Sequence, residues 1–153
     1  IGALAAGKPI PVRNPHGVRP WQHVLEPLGG YLLLGARLAA SEPAEARARA
    51  CEPWNFGPRT EDARPVRAVV EALVSCWGGG SWEDRHDPGA PHEAGLLRLS
   101  IDKAQARLGW SPRWHFEETF RRTVDWYRAF HAGASRDALA ALCREQIAEY
   151  LES

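Results

Sequence analysis

The residues best suited to chemistry lie in one hexapeptide, RPWQHV at positions 19–24. If this stretch is a strand, its alternating side chains place Arg19, Trp21 and His23 on one face. A guanidinium, an indole and an imidazole on one face suit an anionic ligand that carries a ring, because arginine binds phosphate oxygens in a fixed geometry. The alternative is structural, with Trp21 in the core and Arg19 paired with a carboxylate at the sheet edge. The residues alone leave both interpretations open.

Two neighbouring elements would position this hexapeptide. Before it, the prolines within residues 9–13 predict an edge strand, and the turn residues NPHG at 14–17 would join the two strands into a hairpin whose turn faces a ligand. After it, Pro27 suits the first turn of a helix. Helical spacing in that helix places six residues on one face, which we expect to be buried: Leu28, Tyr31, Leu32, Gly35, Leu38 and Ala39.

The rest of the chain mixes short strands with amphipathic helices. Strands are predicted at residues 52–58, 81–83 and 96–99. Four further helices are predicted, one from Pro65 to the glycines at 78–80, a short one capped by Asp102, one from Phe116 and one over residues 136–150. We therefore expect an α/β fold with short strands and about five helices, in a single domain over residues 1–153. The opening residues contain no Met and read as the end of a helix, which indicates a fragment of a longer protein.

Composition and charge argue against several classes of function. Nineteen basic and nineteen acidic residues cancel, so no overall field attracts nucleic acid or an anionic membrane. No apolar run is long enough to span a membrane and no segment reads as a signal peptide, so we expect a cytoplasmic protein. The three cysteines are far apart in sequence and form no Cys-x-x-Cys pair, which argues against a disulfide framework or a zinc site.

Residues for catalysis are not assembled into a known motif. None of the three tyrosines, Tyr31, Tyr127 and Tyr150, is followed four positions later by the lysine that would lower its pKa. The chain has no Gly-x-Ser-x-Gly elbow, no His-Glu-x-x-His pair and no Gly-x-Gly-x-x-Gly loop. From the residues alone, the chain is an α/β domain with one candidate anion-binding face.

Five segments, in order and over nearly the whole chain, resemble one enzyme family. They are GKPIP at 7–11, RPWQHVLEP at 19–27, WNFGP at 54–58, PHEA at 91–94, and the stretch from KA to LGW at 103–110. Together they resemble the C-terminal half of CDP-glucose 4,6-dehydratases, which are extended short-chain dehydrogenases/reductases of the NAD-dependent epimerase/dehydratase family. The resemblance implies a C-terminal substrate-binding domain from which the N-terminal Rossmann half is missing.

The resemblance also implies roles for individual residues. Arg19 would bind the diphosphate of the substrate, in agreement with the strand-face argument. Arg13 would lie against the nucleotide base, and Asn55 and His92 would line the nucleotide end of the pocket. Two other positions match as well, Lys8 near the nucleotide and Trp21 as a packing residue.

For the complete enzyme the resemblance implies lyase chemistry in deoxysugar biosynthesis. Bound NAD would take a hydride from C4 of the sugar, water would leave across C5 and C6, and the hydride would return to C6. NAD and the catalytic residues would belong to the missing half, so neither is expected within these 153 residues. The expected partners are the nucleotide-sugar substrate, the Rossmann half and further copies in a homo-oligomer. Two alternatives remain, a portion of a nucleotide-sugar epimerase and a stand-alone, non-catalytic nucleotide-sugar binding module.

Overall fold

The computed structural model describes residues 1–40, 44–87, 89 and 94–153. The helices within this part are α1 (Gly2–Ala5), α2 (Leu25–Ala39), α3 (Ala44–Ala50), α4 (Val66–Trp77), α5 (Asp102–Leu108), α6 (Phe116–His131) and α7 (Arg136–Glu152). The strands are β1 (Ile10–Val12), β2 (Val18–Arg19), β3 (Arg64–Pro65) and β4 (Trp82–Asp84). The predicted α/β class with short strands is confirmed. The helix number exceeds the expected five because the short α1 and α3 also form.

The strands make two small sheets, and the predicted hairpin between β1 and β2 is wrong. β1 pairs in parallel with β4, and β2 pairs antiparallel with β3. The turn between β1 and β2 is held instead by the start of α4, whose first N–H groups have no partner within the helix. Val66 N–H donates to the carbonyl of Gly17 at 3.0 Å, and Arg67 N–H donates to that of Pro15 at 2.9 Å.

Three other predicted strands are shorter than expected or absent. The strand expected at residues 19–24 ends at Arg19, because Pro20 has no N–H to give to a ladder and the chain turns into α2 at Leu25. Residues 53–58 form no strand, and within the described part they make no backbone–backbone hydrogen bond. The strand expected at 96–99 is reduced to a single parallel bridge between Val18 and Leu96.

Two apolar clusters form the core. In the first, α4 packs on α6 through a buried set consisting of Val69, Phe116 and Phe120. The second cluster joins residue 56 to the α5 region, and its buried members are Phe56, Ile101, Ala104, Leu108 and Trp110. Leu33 and Leu34 of α2 pack against the second cluster. Burial of such side chains supplies most of the favourable free energy of folding.

The predicted buried face of α2 is wrong. The residues of α2 that are buried are Glu26 and Gly30, and Leu33 and Leu34 lie on the same inward side. Leu28, Tyr31 and Leu32 face outward with 44%, 59% and 76% of their surface exposed. The error has a physical reason, because α2 carries no charged residue between Pro27 and Ala36 that would mark its outward side.

The helix ends follow their sequence signals closely. α4 begins directly after Pro65 and ends at Gly78, whose φ of 91° is the left-handed conformation that glycine adopts readily. Ser135 caps α7, where its side chain accepts a hydrogen bond from Ala138 N–H at 3.2 Å. Asp102 does not cap α5 as predicted, because it is the first helical residue and accepts a hydrogen bond from the Ser100 hydroxyl.

Candidate functional site

Arg19 lies at the end of β2, where backbone segments run on both sides of the strand. On one side, Val18 is opposite Pro65 of β3 in antiparallel register. On the other side, Val18 N–H donates to the carbonyl of Gly95 at 2.8 Å, and Leu97 N–H donates to the carbonyl of Val18 at 3.0 Å. The backbone that carries Arg19 is therefore fixed from two directions.

The Arg19 guanidinium is tied to the same neighbouring segment. Its Nη1 donates to the carbonyl of Ala94 at 2.9 Å and to that of Val18 at 3.0 Å. These contacts hold a positively charged group in a half-buried position. His92, predicted at the nucleotide end of the pocket, lies outside the described residues and precedes Ala94 by two positions.

Arg19, Trp21 and His23 do not share one face, because the strand ends at Arg19. The Trp21 indole N–H donates to the carbonyl of Arg64 at 3.2 Å, and its ring packs edge-on against Phe120. Trp21 is thus a packing residue of the first core cluster, as the structural alternative proposed. Two contacts of the Arg19 guanidinium are to backbone carbonyls, those of Val18 and Ala94, both from Nη1.

His23 is buried on the other side of the hexapeptide. Its ring lies edge-on to Trp114 with the centroids 4.8 Å apart, and its Nδ1 accepts a hydrogen bond from Leu25 N–H at 3.3 Å. Burial, and to a smaller extent the positive charge of Arg122, lower the pKa of His23 to about 4, against the opposing effect of Glu118. The imidazole is therefore neutral at pH 7. It lines an apolar groove of about 490 Å³ between the start of α2 and helices α6 and α7.

Gln22 connects the hexapeptide with the segment that carries Asn55. The Gln22 amide donates from Nε2 to the carbonyl of Phe56 at 2.9 Å. Asn55 directly precedes Phe56 in the sequence. It is exposed, whereas its neighbours Trp54 and Phe56 are half-buried and buried. One hydrogen bond therefore joins the hexapeptide that begins at Arg19 to the segment that contains Asn55.

Arg13 and Lys8 flank β1, in the other small sheet. Both side chains are exposed, with Lys8 before the strand and Arg13 directly after it. Because β1 pairs with β4 and β2 with β3, Arg13 and Arg19 stand on separate ladders. The turn between them is ordered by the Asn14 side chain, whose Oδ1 accepts a hydrogen bond from Gly17 N–H at 3.0 Å.

The sequence interpretation missed Glu26, which holds the start of α2 against residues 113–114 and α7. Only 1% of Glu26 is exposed. Its carboxylate accepts hydrogen bonds from Arg113 N–H at 3.0 Å, from Trp114 N–H at 2.7 Å and from the Tyr150 hydroxyl at 3.0 Å. Burial, together with the Glu26 charge, raises the pKa of Tyr150. The available signal was an acidic residue in the first turn of an otherwise apolar helix.

The described residues do not fit NAD. A dinucleotide pyrophosphate is bound at the N-terminus of a helix that follows a glycine-rich turn, where the helix dipole is positive. The glycines at 78–80 instead follow the C-terminus of α4, the negative end. Within the described part of the chain, no group of three metal-ligating side chains comes together, and no helix is long and apolar enough to cross a membrane.

Comparison with known proteins shows which enzymes the chain resembles. No family model matches it. It is similar to enzymes described as nucleotide-glucose 4,6-dehydratases, and it spans only 33–37% of their length. The chain is thus similar to the C-terminal portions of sugar-nucleotide 4,6-dehydratases, which are extended short-chain dehydrogenases/reductases.

The chain is more similar in sequence to the CDP-glucose enzyme than to the dTDP-glucose enzymes. The chain is 43% identical over 93% of its residues to the CDP-glucose 4,6-dehydratase of Salmonella typhimurium, of which it spans 37%. Its identity to dTDP-glucose 4,6-dehydratases is lower, at 29% over 83% of the chain in Xanthomonas campestris and 31% over 80% in Streptomyces niveus. The resemblance found in the sequence motifs is confirmed.

Proposed function

We propose that this chain is the nucleotide-sugar-binding portion of an NAD-dependent CDP-glucose 4,6-dehydratase. The observation that carries the proposal is the 43% identity, over 93% of the chain, to the Salmonella enzyme of that name. The site in these residues is the surface around the end of β2. The chain as a whole forms one substrate-binding domain, which acts with the remaining portion of the enzyme.

In this proposal Arg19 binds the diphosphate of the substrate. Its guanidinium is permanently charged and is oriented by the carbonyls of Val18 and Ala94, so it loses little conformational freedom when an anion arrives. Asn55 offers an exposed amide beside the Gln22 contact, for hydrogen bonds to the nucleotide. Arg13 and His92 complete the nucleotide end of the pocket.

The reaction needs groups that these residues do not supply. NAD and the Tyr-x-x-x-Lys pair belong, in this proposal, to the remaining portion of the enzyme. The contribution of this chain is to bind and orient the CDP group, which holds the sugar at the reacting centre and lowers the entropic part of the barrier. We therefore expect nucleotide binding by the 153-residue chain, and no turnover of CDP-glucose by it alone.

The experiment is calorimetric titration of the 153-residue chain with CDP and, separately, with UDP. CDP is expected to bind more tightly than UDP, and Arg19→Ala is expected to abolish the heat of CDP binding. Arg144→Ala is the matched control, because Arg144 is an exposed arginine on α7, remote in sequence from β2. We expect it to bind CDP as the unaltered chain does.

Arg19→Lys distinguishes a binding role from a structural one. Lysine keeps the charge but lacks the planar fork that binds two phosphate oxygens at once, so CDP affinity should fall while the thermal transition is retained. If all variants bind CDP equally, or if the chain binds neither nucleotide, the proposed binding role is wrong.

A further inference from the structure

The groove beside His23 has the size and the lining of a small-molecule site. Its volume of about 490 Å³ lies within the range of roughly 300–1,000 Å³ that is common for such sites. Apolar and aromatic side chains form most of its walls, with Val24 and Leu25 where α2 begins, Trp126 and Tyr127 on α6, and Ile147 on α7. These walls favour a ligand with a ring system, because flat apolar groups pack well on aromatic side chains.

Two buried side chains, His23 and Gln146, each present one polar atom to this groove. Only 6% of each residue is exposed. His23 Nδ1 accepts a hydrogen bond from Leu25 N–H, so the proton of the neutral ring lies on Nε2. Gln146 Nε2 donates to the carbonyl of Arg122 at 3.0 Å, which leaves Oε1 as an acceptor. Within the described part of the chain, His23 Nε2 and Gln146 Oε1 make no hydrogen bond and neither atom is enclosed, so both face the open groove.

The charge of the lining favours a neutral ligand. Among the described residues that line the groove, Arg122 is the one with a permanent charge. Its guanidinium forms ion pairs with Glu118 at 2.6 Å and with Glu149, so its charge is already compensated. An ionic ligand would lose its hydration here without gaining a partner of opposite charge.

We propose that this groove is a second binding site, for a neutral aromatic molecule that carries both a hydrogen-bond acceptor and a donor, as a cyclic aromatic amide does. The acceptor of the ligand receives the Nε2–H of His23, and its donor binds Oε1 of Gln146. The rings of the ligand pack on Trp126 and Tyr127.

This site is distinct from the proposed nucleotide site, although both use the hexapeptide at 19–24. Gln22 and His23 line the groove, whereas Arg19 and Asn55 are not among the described residues that do so. The ligand therefore contacts the hexapeptide from the side of α6 and α7. Binding of CDP and binding of the aromatic ligand do not exclude each other.

Two probes with the same bicyclic skeleton test the proposal on the 153-residue chain. Oxindole carries an amide carbonyl and an N–H, whereas 1-indanone carries the carbonyl without the N–H. We expect oxindole to bind about fivefold more tightly, because only its N–H can donate to Gln146 Oε1. Protein-observed NMR titration measures both dissociation constants. If oxindole does not bind, or if the two probes bind equally, the proposal is wrong.

His23→Phe tests the donor in the groove. Phenylalanine keeps an aromatic ring but has no N–H, so the affinity for both probes should fall by about fivefold. His86→Phe is the matched control, because His86 is exposed and is not among the described residues that line the groove. It should bind both probes as the unaltered chain does.

Ile147→Trp tests the groove without altering its buried polar groups, and it decides the matter if His23→Phe does not fold. Ile147 is 44% exposed, so the chain should tolerate the change. The larger side chain takes the space of the ligand, and oxindole should bind about tenfold more weakly. Unchanged affinity in either folded variant would overturn the proposal.

Alkylation of the native cysteines locates the probe. Cys143 and Cys51 are both exposed, and Cys143 lines the groove, whereas Cys51 is not among the described residues that do so. Saturating oxindole should slow the reaction of Cys143 with iodoacetamide and leave that of Cys51 unchanged. An equal rate at Cys143 with and without oxindole, or displacement of oxindole by CDP, would mean that the probe lies elsewhere and would overturn the proposal.

Discussion

Helices α2 and α6 have nearly the same length, 15 and 16 residues, but they relate to their surroundings in opposite ways. In α6, apolar residues face α4 and charged residues lie on its other sides, where Glu118 forms ion pairs with the exposed Arg121 and the half-buried Arg122. In α2, apolar residues face both ways and the buried side holds a carboxylate, that of Glu26. α6 has charged side chains on its solvent side, whereas α2 leaves Leu28, Tyr31 and Leu32 exposed on its own.

The comparison teaches that charge, more than apolar periodicity, fixes the orientation of a helix. Helical spacing predicts a stripe on α6 that consists of Phe116, Thr119, Phe120, Thr123, Tyr127 and Phe130. The first three are buried, whereas Tyr127 and Phe130 are 39% and 50% exposed. The stripe predicted for α2 includes Leu28, Tyr31 and Leu32, and all three are exposed. The predicted face was largely apolar in both helices. Only α6 also carries charged residues on its remaining sides, and these sides cannot face the core.

A large difference between the two helices is expected when an acidic residue in the first turn of each is replaced. Glu26→Ala leaves two backbone N–H groups and the Tyr150 hydroxyl without their acceptor, so we expect a loss of about 4 kcal/mol in the free energy of unfolding. Glu117→Ala, in the exposed first turn of α6, should cost less than about 1 kcal/mol, the contribution of the helix dipole. Urea denaturation measures both, and equal losses would contradict the anchoring role of Glu26.

The pH dependence of stability tests the contact between α6 and the start of α2. The pKa of His23 is about 4 in the folded chain against 6.5 for the free side chain, so the unfolded state binds more protons between these values. Stability should therefore be retained above pH 6.5 and lost as the pH falls toward 4, by about 3 kcal/mol in all.

Urea denaturation at several pH values measures this dependence. His23→Gln should flatten the curve between pH 6.5 and 4, whereas His86→Gln, which changes an exposed histidine, should leave the slope unchanged. A slope that survives His23→Gln would show that other groups are responsible.

Two glycines of α2 distinguish its covered side from its open side. At Gly30 an added Cβ would lie 2.3 Å from the Phe56 ring, so Gly30→Ala should cost about 1–3 kcal/mol through overpacking. At Gly35 the added Cβ meets nothing, so Gly35→Ala should stabilise by about 0.5–1 kcal/mol through helix propensity alone. Thermal or urea unfolding measures both changes, and the opposite signs are the test.

The smallest effect is expected on the open side of α2. Leu32→Ala removes a side chain that is 76% exposed, so the free energy of unfolding of the 153-residue chain should change by no more than about 0.5 kcal/mol. Phe120→Ala, at a buried position of α6, should cost about 3–5 kcal/mol by the same measurement. A large loss at Leu32 would mean that the outward side of α2 is already covered.

Local signals in the sequence predicted much of the fold. Pro65 and Gly78 mark the two ends of α4, and the helix predicted over residues 136–150 is α7, capped by Ser135. These features depend on residues near one another in sequence, where backbone restrictions and caps act directly. The mixed α/β class followed from the same alternation of short elements.

Pairings over long sequence distances were not predictable. β1 pairs with β4 across about 70 residues, and Glu26 binds Arg113 and Tyr150 at similar or greater separations. Neither local propensity nor periodicity reports on such contacts. Of the candidate site, the sequence singled out Arg19 by its chemistry, but the carbonyls that orient it and the Gln22 contact became visible only in the folded chain.

The central claim is that the surface around Arg19 binds the CDP group of a nucleotide sugar. Its most direct test is the calorimetric titration of the unaltered 153-residue chain and of Arg19→Ala with CDP. The account predicts saturable binding of CDP to the unaltered chain and none to the variant. Absence of binding to the unaltered chain, or undiminished binding to the variant, would contradict it.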